Sequence, residues 1–232
     1  TMTTTTSTSR RSSSSGRSVA IACSTRRDGD FHLTNQPSDT LERTRRAFID
    51  LPWTMTDECH GVDVVRVSTP GGGDRARGDI AITALDDAVL GCWVGDCAPI
   101  VLIGADREFA VVHAGWRGLA AGVVDVAIEA FGEPVVDAVL GPVIGACCYE
   151  FGDDDLLAVA EGTHAEPDAI RSRTASGTPA LAVEAAVRSA VTAHDVPLTV
   201  LAGCTGCSYD GFSHRVRRDP QRHVVAAWRP AA

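Results

Sequence analysis

The segment Phe109-Ala110-Val111-Val112-His113-Ala114-Gly115-Trp116-Arg117-Gly118 constrains this chain more than any other. It opens as an apolar, β-type run and ends at a histidine, followed by Gly115 and Gly118 with an arginine between them. A small-residue, helix-like stretch then covers 119–131. Strand, glycine turn and helix in succession point to an α/β architecture, and such strand ends are where α/β proteins commonly place chemistry. Glycine lets the backbone turn sharply or approach a ligand closely, and arginine presents a planar fork to an anion. Taken alone, the segment reads more simply as a turn that holds one buried, hydrogen-bonded histidine.

Other strand-like runs lie at Val19 to Cys23, Val62 to Val67, Ala88 to Val94, Ile100 to Ile103, Val135 to Leu140, Leu198 to Leu201 and Val224 to Trp228. Helical spacing of apolar residues marks Thr40 to Ile49, Asp153 to Gly162 and Thr178 to Ala193. The alternation lacks a strict βαβ rhythm, so the expectation is an α/β (α+β) chain with mixed sheets packed with helices. Residues 1–18 are rich in Ser, Thr and Arg and lack acids. Such a stretch buries too little apolar surface to offset its ordering entropy, so it is expected to be a disordered tail. One domain is expected over 19–232.

The formal net charge of −9 disfavours a nucleic-acid binder, which needs a cationic face. Every basic residue except histidine is arginine, which excludes Schiff-base lysines and Walker-type phosphate loops. No run approaches eighteen apolar residues, so no membrane partner is expected. The first residues show no apolar export signal, and eight cysteines in a chain of 232 residues read as reduced thiols of a cytoplasmic protein rather than a disulfide framework.

Three polar residues beside strand-like runs stand out: His60, Cys97 and His113. Two imidazoles and a thiolate make a reasonable zinc set with a fourth position left open. They are 37 and 16 residues apart, unlike a compact finger, so spacing leaves open whether they converge. Asp96 stands beside Cys97 as a second carboxylate-type partner, either a proton shuttle or a support for the ligands. Cys204 and Cys207 have the spacing of half a zinc site or a redox pair; with no second pair at suitable spacing they read as buried structural thiols. Cys147 and Cys148 read the same way, since adjacent cysteines chelate poorly. His32, His164, His194 and His223 belong to no constellation and read as solvated or capping residues.

Six motifs occur in order: His60-Gly61; Asp79 in Gly-Asp-Ile-Ala-Ile-Thr; Gly95-Asp96-Cys97-Ala98-Pro99; His113-Ala114-Gly115-Trp116-Arg117-Gly118; Gly141-Pro142-x-Ile144-Gly145 with Cys147-Cys148-Tyr149-Glu150; and Ser213-His214-Arg215. Together they resemble the purine nucleoside phosphorylases of the laccase-domain type, a family also called multicopper polyphenol oxidase and peptidoglycan editing factor. The resemblance spans roughly residues 19 to 228. It implies one α/β domain, a metal (zinc, with copper as the other possibility) held by His60, Cys97 and His113, and purine nucleoside and phosphate as substrates. The implied activities are phosphorolysis of adenosine, inosine, guanosine and methylthioadenosine, and adenosine deamination. Arg26, in a Ser-Thr-Arg turn, maps to a substrate or phosphate contact; Arg117 and His214 are further candidates. Asp96, with Cys97 and His113, is the candidate catalytic set.

The chain departs from the family pattern at Glu58 and Cys59, which replace Gln and Val, at Gly95, which replaces Ala, and after Ser-His-Arg, where Val216 follows. Three alternatives stay open on the residues: a hydrolase with Cys97 as nucleophile and His113 as its base, a copper polyphenol oxidase, and a non-catalytic editing factor for peptidoglycan precursors. Seven histidines, most without partners, disfavour multicopper chemistry.

Overall fold

The computed structural model describes residues 8–12, 18–201 and 203–230. In order the elements are β1 (Thr8–Ser12), β2 (Ser18–Cys23), α1 (Ser38–Phe48), β3 (Trp53–Met55), β4 (Val64–Arg66), β5 (Ile80–Thr83), β6 (Val89–Val94), β7 (Ala98–Gly104), β8 (Phe109–Ala114), α2 (Trp116–Ala120), α3 (Val123–Glu129) and β9 (Val135–Leu140). There follow α4 (Asp153–Gly162), α5 (Pro167–Ile170), β10 (Arg171–Arg173), β11 (Pro179–Leu181), α6 (Val183–Thr192), β12 (Leu198–Val200), α7 (His214–Arg217) and β13 (His223–Trp228).

Two large sheets form, ordered β1-β2-β13-β6-β3 and β12-β9-β7-β8-β5-β4, with β10 and β11 as a separate ribbon. Both are mixed: β3 runs parallel to β6, β4 to β5 and β12 to β9, and the other pairs are antiparallel. This matches the mixed-sheet α/β expectation. The side-chain period of two sorts each strand between two cores. In β7, Val101 and Ile103 face the other sheet while Ile100 and Leu102 face helices; in β8, Phe109 and Val111 face the sheet while Ala110 and Val112 face helices. Leu90 and Cys92 of β6 and Val225 of β13 complete the layer between the sheets. Helices α2 to α6 cover the outer face of the six-stranded sheet, and α1 with Phe31 and Leu33 covers that of the five-stranded sheet. The result is four layers, helix on sheet on sheet on helix.

Three local differences from the sequence reading have simple causes. Of the stretch expected to be a tail, residues 8–12 pair antiparallel with β2, while 1–7 and 13–17 lie outside the described residues. An edge strand needs only backbone donors and acceptors, which composition does not report. The single helix expected over 119–131 is two, because Gly122 adopts φ +75° and starts α3 afresh. The helix expected from Thr178 begins at Val183, since Pro179–Leu181 pair with β10.

Candidate metal centre

Strand parity places the first two side chains. His113 follows Phe109 and Val111 at intervals of two, so it points to the inter-sheet side at the end of β8. Cys97 immediately precedes β7 and has the parity of Val101 and Ile103. Because β7 and β8 are antiparallel, with Pro99 opposite His113 and Ala98 opposite Ala114, the start of one strand meets the end of the other. His60 arrives from the loop between β3 and β4 with a left-handed backbone, φ +61°. One donor atom from each of His60, Cys97 and His113 lies within 4.8 Å of the others. The His60 and His113 rings meet edge to face at 4.8 Å, and Cys97 Sγ is 3.8 Å from His60 Nε2.

Asp79, just before β5 and 1% exposed, ties His113 to the His60 loop. Its carboxylate accepts the backbone N–H groups of His60 (2.8 Å) and Gly61 (2.8 Å), the weaker N–H of Cys59 (3.2 Å) and the Cys59 thiol (3.0 Å). It also accepts His113 Nδ1 at 2.8 Å, which leaves Nε2 as the nitrogen available to a metal. The same carboxylate thus fixes the His60 loop and orients His113. Gly115 supplies close approach: a Cβ there would stand 2.5 Å from His60 Cδ2 and 3.4 Å from Cys97 Sγ.

The charges around this centre are mutually dependent. Burial would raise Asp79, but hydrogen bonds from His113, Cys59 and Gly61 carry its pKa well below the usual carboxylate range. Burial lowers His113, yet the Glu58 and Cys97 charges and the Asp79 bond lift it well above an ordinary imidazole. Burial raises Cys97, and the His113 charge with hydrogen bonds from His113 and His60 more than reverses this, to about 6. Burial pushes Glu58 up to about 7 against the pull of His113. The protein therefore places negative charge around the donor atoms, where a divalent cation can take the place of protons. Two imidazoles and one thiolate, all opening on one cleft, fit a zinc ion with a position left for substrate.

That cleft has a volume of about 450 Å³, within the range of small-molecule sites. The structure brings Asp96, Arg117 and His214 to its wall along with His60, Cys97 and His113. Arg117 is exposed and lies over the Trp116 ring at 4.3 Å, with no ion pair among the described residues. Asp96, at φ +129°, uses both carboxylate oxygens: Oδ1 accepts Thr205 Oγ1 at 2.6 Å and Oδ2 accepts the backbone N–H of Arg215 at 2.6 Å. Arg26 is not in the wall. Its guanidinium binds Asp219 and the Gly211 carbonyl (2.9 Å) and covers the Phe212 ring at 4.6 Å.

Several residues of the site were not singled out by sequence. Glu58 lines the cleft with Oε2 3.6 Å from His113 Nε2, its other oxygen held by Trp93 N–H at 3.0 Å. Its signal was present as the departure from Gln. Arg215, Arg222 and His32 also line the cleft; Arg215 sits 5.1 Å above the Tyr149 ring, and the His32 ring leans on Trp93 at 4.5 Å, tilted by 52°. His164 and His194, expected to be solvated or capping, both donate to Asp125, at 2.9 and 2.7 Å. His223 is fully buried in β13, not solvated.

Comparison with known proteins agrees with the motif reading. A sequence profile described as multi-copper polyphenol oxidoreductase laccase matches residues 8–229. The chain belongs to this family. The laccase-family chain is 35% identical over 186 residues to a protein named purine nucleoside phosphorylase of Streptomyces coelicolor, covering 74% of this chain and 73% of that one. It is 27% identical over 221 residues to the purine nucleoside phosphorylase YlmD of Geobacillus stearothermophilus, covering 84% and 80%. A protein named adenosine deaminase, from an unknown prokaryotic organism, is 30% identical over 58% of this chain and 55% of its own length. Solved structures share the fold: a Neisseria meningitidis protein at TM-score 0.82 and 22% identity, covering 97% of this chain and 99% of that one, and YlmD of G. stearothermophilus at 0.82 and 23%, covering 92% of each.

Proposed function

We propose that this chain is a zinc-dependent purine nucleoside phosphorylase with a second, adenosine deaminase activity. The observation that carries the reading is the convergence of His60, Cys97 and His113 within 4.8 Å on the wall of a cleft that also holds Arg117, Arg215 and Arg222. Names among the relatives supply the reaction class. Adenosine, inosine, guanosine and methylthioadenosine are the proposed substrates, and the proposed setting is the cytoplasm.

His60, Cys97 and His113 would hold a zinc ion, which would supply Lewis acidity to the cleft. The chain's own groups do the rest. Arg117, exposed and without a carboxylate partner among the described residues, is placed to clamp phosphate through paired hydrogen bonds, with Arg215 and Arg222 also lining the cleft. In phosphorolysis a phosphate oxygen forms a bond to C1′ of the ribose, the bond from C1′ to the purine nitrogen breaks, and the base leaves with that electron pair and takes a proton. In deamination water adds to the purine carbon bearing the amine, and ammonia leaves. Glu58, which lines the cleft 3.6 Å from His113 Nε2, is the group proposed to hold a proton in either reaction. Asp96 positions Arg215 and Thr205, since both its oxygens are occupied. Trp93, Tyr149 and Trp116 give the cleft aromatic walls for a purine. Arg26 takes no part in this proposal.

The test is incubation of purified, zinc-loaded protein with each nucleoside, with and without phosphate, and chromatography of the products. Free base that requires phosphate, and inosine from adenosine, are expected. Absence of product from every purine nucleoside overturns the reading. Hydrolytic activity that survives complete zinc removal points instead to Cys97 as a nucleophile.

A further inference from the structure

We propose that Cys147, Cys148, Cys204 and Cys207 form a second metal site, a tetrathiolate zinc site distinct from His60, Cys97 and His113. Neither pair is a site alone: the sequence shows one Cys-x-x-Cys and one adjacent pair, 57 residues apart at Cys147 and Cys204. The fold joins them. A 3-10 turn, Ala146–Cys148, follows β9, and the Cys204 loop follows β12, which is parallel to β9 in the sheet. The two segments are then locked by a bridge between Val143 and Cys204, in which Thr205 N–H donates to the Val143 carbonyl at 3.0 Å.

The four sulfurs lie within 4.8 Å of one another. Cys147 is 3.7 Å from Cys148, 3.7 Å from Cys204 and 3.5 Å from Cys207, and Cys148 is 3.5 Å from Cys207. A tetrahedral ion with zinc–sulfur bonds of about 2.3 Å requires sulfur–sulfur edges of about 3.8 Å. All four cysteines are unbridged, and none is buried as the sequence suggested: Cys147 and Cys207 are exposed; the separations far exceed a disulfide bond of about 2.05 Å. The chain around them is cut to fit. A Cβ at Gly145 would lie 3.2 Å from Cys204 Sγ, and one at Gly206 would lie 2.9 Å from Cys148 Sγ. With no Cβ at Gly145, its backbone N–H reaches Cys204 Sγ at 3.1 Å, a donor suited to a thiolate.

Binding displaces four thiol protons to solvent and leaves a cluster of net charge minus two. The Gly145 N–H opposes that charge, and the Arg217 guanidinium, paired with Asp219 at 3.1 Å, fixes the loop by donating to the Thr205 and Gly206 carbonyls at 3.1 and 3.0 Å. Burial pushes the Cys204 thiol up, and the backbone donors of Gly145 and Cys207 turn the balance downward. The site has a structural consequence for the cleft. Thr205, between the two loop cysteines, is the residue whose hydroxyl holds Asp96, next to Cys97. Zinc on the four thiolates therefore clamps the loop that supports the cleft wall.

The test uses the full chain carrying His113→Ala, purified under reducing conditions, incubated with zinc chloride and desalted, with zinc measured by mass spectrometry and its ligands by X-ray absorption. One retained equivalent with four sulfurs at about 2.3 Å is expected, and the further change Cys204→Ser with Cys207→Ser removes it. The absorption measurement needs no cysteine variant, so misfolding of that variant does not blunt the test. No retained zinc, a nitrogen- or oxygen-rich shell, or an intact mass showing disulfides among these cysteines overturns the proposal. It does not depend on catalysis, so absence of nucleoside turnover leaves its outcome readable.

Discussion

Replacing Asp79 by Asn should damage the centre without changing its shape. The amide nitrogen has to take one of the two oxygen positions. At Oδ1 it faces the N–H of His60 and Nδ1 of His113; at Oδ2 it faces the N–H of Gly61 and the Cys59 thiol. The second choice costs less, and it still removes two bonds to a charged acceptor and sets donor against donor. At about 1.5–3 kcal/mol for each hydrogen bond to a charged group, the loss is about 3–6 kcal/mol, a large share of a typical domain's stability. Urea denaturation with a zinc chelator present isolates this from metal binding, and the midpoint should fall at an unchanged slope. In the presence of zinc, chelator competition should show affinity reduced about 10- to 100-fold, because His113 loses its orienting partner. A loss below about 1 kcal/mol, of the kind seen for ordinary surface changes, would refute the assignment of Asp79 as the shared anchor.

Gly115→Ala keeps an acceptable backbone, φ −71°, but drives a methyl into His60; zinc affinity should fall at least about tenfold, while metal-free stability drops by about 1–3 kcal/mol, both read as above. Arg117→Ala should raise the KM for phosphate about 10- to 100-fold through loss of a charge-assisted pair and leave adenosine deamination unchanged, as steady-state kinetics would show. His223 is held to about 4 by burial and by the Arg222, Arg217 and Arg26 charges. Its folded pKa lies below the unfolded value of 6.5, so its contribution is whole above pH 6.5 and is lost as pH falls toward 4, about 3 kcal/mol in all. Denaturation midpoints of His223→Gln against pH should show a flatter acid limb than those of the unaltered chain.

The fold was legible where one local signal dominated. Val135 to Leu140 is β9 to the residue, and Asp153 to Gly162 is α4, because an unbroken apolar run or a helical period reports burial directly. Boundaries failed where a glycine in a left-handed conformation or a remote pairing decided them, at Gly122 and at Pro179–Leu181. The candidate site was legible as residue types and family motifs, not as geometry. His60 reaches the centre through a left-handed backbone conformation, and Asp79 acts through hydrogen bonds to residues 18 to 34 positions away; neither leaves a local pattern. The four cysteines and the Asp125 pair with His164 and His194 likewise meet only through tertiary contacts.

The parity that aims His113 between the sheets sets a rule for how this sequence can change length. Removing one residue between Phe109 and Val112 would turn the imidazole toward α2 and α3 and carry every following strand residue across with it. The tip at Ala175 to Gly177, between β10 and β11, is exposed and belongs to no strand, so no such alternation binds it. Natural and designed variants should therefore tolerate insertions at that tip and none within β8.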